Sequence, residues 1–289
     1  MAELPQRKTL ALSQQGGTLH VTLSRPEVRN AMSLEMVREL QETLDLAERD
    51  ERVRTLVLRG AGGHFCAGGD IKDMAAARSA PPEGEADPGP RAPAGHSGVK
   101  LRDPLAATNR AFGAMITRFD RSPLATVAVL EGAVMGGGFG LACVVDVAIA
   151  RVDARFRLPE TGLGIPPAQI APFLVRRLGL SQARRLAVTG ADLDGRAAQA
   201  IGLVHLVCEE AELETRLDEL LAKIDRCAPG AIAVTKELML QAGALEHEAL
   251  LDHAAAQFAR AARGPEGVEG MTAFIQKRRP RWSGEGGQR

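Results

Sequence analysis

The feature that most constrains the fold is a run of glycines that follows an apolar segment in mid-chain. Gly136, Gly137 and Gly138 come after residues 126–130 and open a stretch of small residues, 139–145. A strand that leads through glycines into a helix leaves backbone N–H groups unpaired at the helix start. Because glycine has no side chain, a ligand can approach that backbone closely. The segment therefore predicts a site for an anion, or for an oxygen that becomes negatively charged during a reaction.

The composition argues against several classes of protein. The 289 residues carry 36 acidic and 36 basic side chains, so no overall charge attracts nucleic acid or an anionic membrane. Aromatic residues are scarce, which argues against a surface that stacks bases. No run approaches the roughly 18 apolar residues of a membrane span, and the first ten residues have no signal-peptide core. With no C-x-x-C pair and no credible metal-ligand spacing, we expect a cytoplasmic protein without disulfides or metal.

The order of the predicted elements indicates an α/β core followed by helices. Strand-like and helix-like segments alternate up to residue 208, starting with a hairpin around Gly16 and a helix capped by Ser33. From residue 209 every segment has helical periodicity, so we divide the chain into a core, 1–208, and a helical oligomerisation region, 209–289. Residues 79–98 are rich in proline and glycine and predict a mobile surface loop, with an interdomain linker as the alternative.

A second glycine turn, Ala67-Gly68-Gly69-Asp70, precedes another predicted helix and changes how the first run is interpreted. The first run has the spacing G-G-G-x-G, which does not match the G-x-G-x-x-G fingerprint of dinucleotide-binding folds. No Gly-Lys-Ser/Thr follows it, as a phosphate-binding loop would require. The alternative to a binding site is structural: the small residues of the first run would let this helix pack closely against its neighbours. Two separate turns can each direct one N–H at the same oxygen, and this is the minimal oxyanion hole.

These turns and several further motifs resemble the crotonase superfamily of enoyl-CoA hydratases and isomerases. The resemblance covers nearly the whole chain outside the loop at 79–98. It is carried by Arg25-Pro26-x-x-x-Asn30-Ala31-Met32, residues 64–72, Glu131-Gly132-x-x-x-Gly136-Gly137-Gly138, Asp146, Leu158-Pro159-Glu160-x-x-Leu163-Gly164-Ile165-Pro166, Thr189-Gly190, Ala200-x-Gly202-Leu203-Val204 and Gly270-Met271-x-Ala273-Phe274-x-x-Lys277-Arg278. It implies an α/β fold, a spiral core of β-β-α turns with a helical C-terminal trimerisation region, assembled as a homotrimer or a hexamer.

The resemblance also implies roles for individual residues. The N–H groups of Ala67 and Gly137 would hold the thioester oxygen of an acyl-CoA and stabilise its enolate. Glu160 would be the general acid and base, with apolar neighbours that raise its pKa. The residues that would contact the substrate or its CoA are Val28, Arg29, Ala31, Ala67, Gly68, Gly69, Asp70, Ile71, Gly136, Gly137, Gly140, Phe274 and Lys277. Of these, Phe274 and Lys277 would reach the CoA of a neighbouring subunit. No cofactor is implied, since coenzyme A is part of the substrate.

The chain departs from the two-glutamate pattern common among hydratases of this superfamily, because Gly140 stands at the first glutamate position. One carboxylate can move a proton between carbons, so a Δ3-Δ2 enoyl-CoA isomerase is one alternative. Residues 138–141 and 163–172 look most like the branched glutaconyl-CoA hydratases, which act on 3-methylglutaconyl-CoA and isohexenylglutaconyl-CoA in leucine and acyclic terpene breakdown. The closest likeness, carried by residues 29–34, 68–74 and 167–172, is to the hydratases of isohexenylglutaconyl-CoA. We therefore expect a hydratase of this kind, with the space at Gly140 taking the branched acyl group and Glu160 acting alone on water. A non-catalytic CoA-binding scaffold or an RNA-binding relative is the other alternative.

Overall fold

The computed structural model describes residues 4–80 and 103–283. Within these ranges the strands are β1 Leu10–Gln15, β2 Thr18–Leu23, β3 Thr55–Gly60, β4 Ala125–Leu130, β5 Ala133–Met135, β6 Val147–Arg151, β7 Arg155–Arg157 and β8 Leu206–Cys208. The helices are α1 Leu34–Arg49, α2 Ile71–Ser79, α3 Pro104–Arg121, α4 Gly137–Val144, α5 Ala171–Thr189, α6 Gly195–Ala200, α7 Leu213–Ile224, α8 Pro229–Gln241, α9 His247–Arg263 and α10 Pro265–Ile275. The predicted mobile loop at 79–98 lies outside the described residues from position 81 onward.

Six strands form one sheet in the order β1-β2-β3-β4-β6-β8. β1 and β2 are antiparallel and are joined by the predicted turn at Gly16 and Gly17, whereas the other pairs of this sheet are parallel. β5 and β7 form a separate two-stranded parallel sheet next to the glycine run. The predicted α/β architecture is confirmed, and β5 is a strand that the sequence analysis missed.

Burial on both faces explains why the central strands appear in the sequence as continuous apolar runs. Every residue of β4 is buried. On one face the sheet packs against α1, α3, α4 and α5, in a cluster that includes Leu56 and Phe139. On the other face Val57 and its neighbours pack against Leu213 and Leu217 of α7. Helices on both faces are typical of parallel sheets, and they leave the strand ends to carry the functional loops.

The C-terminal helices α8 to α10 pack loosely on this core and expose large apolar side chains. Their only buried residue is Ala273 of α10. Lys236 of α8 ties the region to the sheet, because its Nζ donates to the carbonyl oxygen of Leu124 at 2.6 Å and to the Asp146 carboxylate at 2.7 Å. Among the described residues, no helix combines the length and the apolar composition that crossing a membrane requires.

Candidate active site

A cavity of about 250 Å³ opens where the two glycine turns meet α3 and the loop before α5. The turns touch through their glycines: a Cβ on Gly136 would lie 3.3 Å from the Cα of Gly68. A Cβ on Gly138 would lie 2.7 Å from the Cβ of Cys66, closer than side chains approach, so a larger residue would force the turns apart. The two turns identified in the sequence therefore form one site.

Asn30, whose side chain is fully buried, holds the loop before α1 against the segment that leads into the second turn. Its Nδ2 donates to the carbonyl oxygens of Ala61 and His64 at 2.9 and 2.7 Å. Arg29 and Asn30 have φ angles of 48° and 56°, in the left-handed region that asparagine tolerates better than most residues. This conformation brings the carbonyl group of Arg29 against Ala67.

The structure contradicts the assignment of Ala67 as an oxyanion donor. Its N–H donates to the carbonyl oxygen of Arg29 at 2.9 Å, so it is not free to hold a substrate oxygen. The sequence offered no means of distinguishing Ala67 from the glycines beside it. Which N–H of the turn is paired depends on the loop that folds against it.

Gly69 provides a free N–H in this turn. Met32 pairs with the residues on either side of it: the N–H of Met32 donates to the oxygen of Gly68 at 2.7 Å, and the N–H of Asp70 donates to the oxygen of Met32 at 2.9 Å. Because successive N–H groups of an extended segment alternate in direction, the N–H of Gly69 points away from Met32. It makes no backbone hydrogen bond within the described residues, and Gly69 lines the cavity.

Gly137 lies where the predicted second donor is needed. It is the first residue of α4, and the N–H groups of a first helical turn have no partner within the helix. Gly137 lines the same cavity as Gly69, and its N–H makes no backbone hydrogen bond within the described ranges. The positive end of the helix dipole adds to the attraction for a negatively charged oxygen. Two N–H groups from separate turns facing one cavity can stabilise an oxyanion.

The carboxyl group of Glu160 lies beside these turns, at the start of the short helix Glu160–Leu163. Its Oε1 is 3.1 Å from the position of a Cβ on Gly136, and its Oε2 is buried without a hydrogen-bond partner among the described residues. Burial raises the pKa of Glu160 above its usual value of 4.5, and a hydrogen bond from its own backbone offsets this only in part. A largely buried carboxyl group with a raised pKa, and with one oxygen that has no hydrogen-bond partner among the described residues, is suited to general acid–base chemistry.

The other two carboxylates that line the cavity already have partners. Asp70 forms an ion pair with Arg25 at 2.8 Å and caps α2. Burial raises the pKa of Asp70, but the hydrogen bonds from Arg25 and the backbone outweigh it and hold this pKa below its usual value. Asp73 accepts a hydrogen bond from the N–H of Leu34 at 2.7 Å. Among the described residues, Glu160 is therefore the carboxyl group that remains free for chemistry.

Gly140 is buried and does not line the cavity. A Cβ on it would lie 3.1 Å from Cγ1 of Ile170 and 3.2 Å from Cζ of Phe112. The expected open space at Gly140 is therefore filled, and the expectation that this space takes the acyl group was wrong. Phe112 and Ile170 themselves form that wall of the cavity. The sequence analysis missed both, because each lies on a segment whose approach to α4 is visible only in the fold.

Apart from Gly140, the predicted binding residues fall into two groups, those that line the cavity and those that do not. Those that line the cavity are Ala67, Gly68, Gly69, Asp70, Ile71, Gly136 and Gly137. Those that do not line it are Val28, Arg29, Ala31, Phe274 and Lys277. The first three belong to the loop before α1, and the last two lie at the end of α10, where Phe274 is 86% exposed.

Comparisons with known proteins establish the family. The profile of the family described as enoyl-CoA hydratase/isomerase matches residues 18–223. The chain belongs to this enoyl-CoA hydratase/isomerase family. It is 31% identical over 277 residues to the 2,3-dehydroadipyl-CoA hydratase of Escherichia coli (strain K12), a match that covers 95% of this chain and 98% of the relative. An acyl-CoA thioester substrate is consistent with this family.

Two solved structures resemble this family member over nearly its whole length. An enoyl-CoA hydratase/isomerase from Marinobacter aquaeolei is 52% identical, with a TM-score of 0.87 and coverage of 96% of this chain and 99% of that one. AtuE from Pseudomonas aeruginosa is 54% identical, with a TM-score of 0.86 and coverage of 96% and 100%. These matches confirm the crotonase fold of this hydratase/isomerase family member, with its central sheet and C-terminal helices.

Proposed function

We propose that the chain adds water to the 2,3-double bond of a branched enoyl-CoA whose acyl group carries its own carboxylate. Isohexenylglutaconyl-CoA and 3-methylglutaconyl-CoA are the substrates we favour. The observation that carries the proposal is that, among the described residues, Glu160 is the carboxyl group left free beside the N–H groups of Gly69 and Gly137, while the wall over Gly140 is apolar. An apolar wall formed by Phe112 and Ile170 suits a branched hydrocarbon better than a second carboxylate would.

In the proposed reaction the thioester oxygen accepts hydrogen bonds from the N–H groups of Gly69 and Gly137. Ionised Glu160 takes a proton from water while the water oxygen bonds to C3, and the electrons of the double bond move to the thioester oxygen as an enolate. Protonated Glu160 then returns the proton to C2 and the thioester is restored. One group acts first as base and then as acid, so protons and charge balance. No cofactor takes part beyond the CoA of the substrate.

Double-bond isomerisation is the second candidate, and the same single carboxyl group favours it. Glu160 could take a proton from C2 of a 3-enoyl-CoA and return it to C4 through the same enolate. The family as described includes both reactions. A CoA-binding scaffold without catalysis would keep the cavity but turn over neither substrate.

An assay with four thioesters separates these candidates. The purified protein is incubated with 3-methylglutaconyl-CoA, isohexenylglutaconyl-CoA, crotonyl-CoA and a 3-enoyl-CoA, and the absorbance of the conjugated 2-enoyl thioester is followed. We expect this absorbance to fall with the glutaconyl thioesters and to change more slowly with crotonyl-CoA. A rise with the 3-enoyl substrate alone would identify the isomerase. Unchanged absorbance with all four, while the thioesters still bind, would identify the scaffold.

We also propose that the C-terminal helices assemble the chain into a homotrimer or a hexamer. Apolar side chains on these helices are largely exposed, at 76% for Phe258, 86% for Phe274 and 79% for Ile275, and contact with other copies would bury them. Phe274 and Lys277 would then stand near the cavity of a neighbouring copy. Sedimentation equilibrium should give the mass of three or six chains, and Phe258→Glu should lower it. A monomeric parent protein at micromolar concentration would rule the assembly out.

A further inference from the structure

One side of the cavity carries neutral hydrogen-bonding side chains that the proposed reaction does not use. Thr108 and Asn109 of α3 and Gln169 of the loop before α5 line this side. Within the described residues, the side-chain hydrogen bonds of α3 involve its cap Asp103, Thr117, Arg118 and Asp120, and none involves Asn109 or Gln169. The described part of the lining contains no lysine or arginine.

Gln169 lies against the backbone of α3 at Gly113. A Cβ on Gly113 would stand 1.9 Å from Oε1 and 2.6 Å from Cδ of Gln169, so any other residue would displace this amide. Glycine destabilises a helix interior relative to alanine. Gly113 is accommodated in α3 because only a residue without a side chain leaves space for the Gln169 amide. Asn109 lies one helical turn before Gly113 on the same face, so the two amides border the same part of the cavity.

The distance from these amides to the reacting carbons fits a short acid. Phe112 has a ring carbon 3.2 Å from the position of a Cβ on Gly137, so this turn of α3 borders the residue that would hold the thioester oxygen. Asn109 lies three residues earlier, about 4.5 Å along the helix axis. In a glutaconyl thioester the carboxylate carbon is two bonds beyond C3, roughly 2.5 Å away. A carboxylate placed there lies within reach of Asn109 and Gln169.

We propose that Thr108, Asn109 and Gln169 form a subsite that binds the carboxylate of the acyl chain. This inference rests on the proposed function, because it names the part of the substrate that these groups recognise. Amide and hydroxyl groups donate hydrogen bonds to a carboxylate without adding positive charge. A lysine or arginine in the same place would stabilise the ionised form of Glu160 and make it a weaker base. Neutral donors avoid that effect.

The test uses two substrates that differ in the carboxylate, 3-methylglutaconyl-CoA and 3-methylcrotonyl-CoA. Asn109→Leu and Gln169→Leu should each lower kcat/KM for the first by about 10- to 100-fold, as expected for lost hydrogen bonds to a charged group, and leave the second unchanged. Gly113→Ala keeps both amides but displaces Gln169, so it should show the same selective loss. Gln182→Leu, a change at a half-buried position on α5 outside the cavity, should alter neither value.

Calorimetry with the saturated thioesters glutaryl-CoA and butyryl-CoA gives a second readout that does not need turnover. The variants should lose affinity for glutaryl-CoA alone. The subsite would be overturned if a variant lost kcat/KM, or affinity, equally for the carboxylated and the uncarboxylated thioester, or lost it for neither. A parent protein that hydrates 3-methylcrotonyl-CoA and not 3-methylglutaconyl-CoA would overturn the carboxylated substrate and the subsite together. If the parent hydrates both substrates and each variant keeps the parent's ratio of kcat/KM between them, the subsite alone is wrong.

Discussion

Replacing Glu160 with glutamine is expected to lower kcat by about 10²- to 10⁴-fold, the range typical of a general acid–base group. Glutamine has nearly the same shape but can neither accept the proton from water nor return it. Because Oε2 has no hydrogen-bond partner among the described residues, the amide replaces it without breaking a contact there. Affinity for the CoA thioester, measured by calorimetry, should change little. A fully active Glu160→Gln protein would show that another group moves the proton.

The pH dependence of the parent enzyme provides a check on the same residue. Hydration needs the ionised form of Glu160, and burial raises its pKa above the usual 4.5. We therefore expect kcat/KM to rise with pH through that raised pKa and then to level off. The residual rate of Glu160→Gln should lack this rise. A rise centred at or below the usual glutamate value would contradict the burial of the carboxyl group.

The same substitution should stabilise the fold near neutral pH. Since the folded-state pKa of Glu160 is raised, its contribution to stability is fully present below the unfolded value of 4.5 and is lost as pH rises through the folded value. Above that range the folded protein carries an ionised carboxylate whose Oε2 is buried without a hydrogen-bond partner among the described residues. Glutamine carries no charge, so the Tm of the variant should exceed that of the parent near neutral pH. The difference should shrink as the pH approaches 4.5.

Gly137→Pro is expected to lower kcat by about 10²- to 10³-fold, as the loss of one oxyanion donor typically does. The substitution removes the N–H that would hold the thioester oxygen. Gly137 is the first residue of α4, where proline is well tolerated because that N–H has no partner within the helix. The matched control is Gly137→Ala, which keeps the N–H and adds a Cβ 3.2 Å from the ring of Phe112. This ring must shift slightly, and most of the activity should remain.

Steady-state kinetics with one thioester, together with the Tm of each variant, separates the possible outcomes. A large loss in the proline variant and a small loss in the alanine variant would support the N–H of Gly137 as the donor. Similar losses of kcat in both variants would indicate that crowding against Phe112 causes the effect. A proline variant that keeps the parent's kcat while remaining folded would remove Gly137 from the mechanism.

Much of the fold and the location of the site could be predicted from local patterns. The apolar run at 126–130 indicated a strand, and the glycines after it indicated a turn into a helix; both are present as β4 and α4. Ser33 caps α1 as predicted, accepting a hydrogen bond from the N–H of Met36 at 3.2 Å. Such features depend on the conformational preferences of residues close together in the chain, which explains why the sequence by itself determined them.

Only the tertiary structure decided which groups of the site are free to act. The Ala67 N–H is paired because the loop containing Arg29 folds against it, and Gly69 is left as the donor for the same reason. Phe112 and Ile170 close the space over Gly140 from two segments far from it in sequence. Hydrogen-bond pairing and cavity walls arise where distant segments meet, and no local pattern encodes that meeting. The sequence therefore located the glycine turns, whereas the folded chain determined which N–H faces the cavity and what lines its wall.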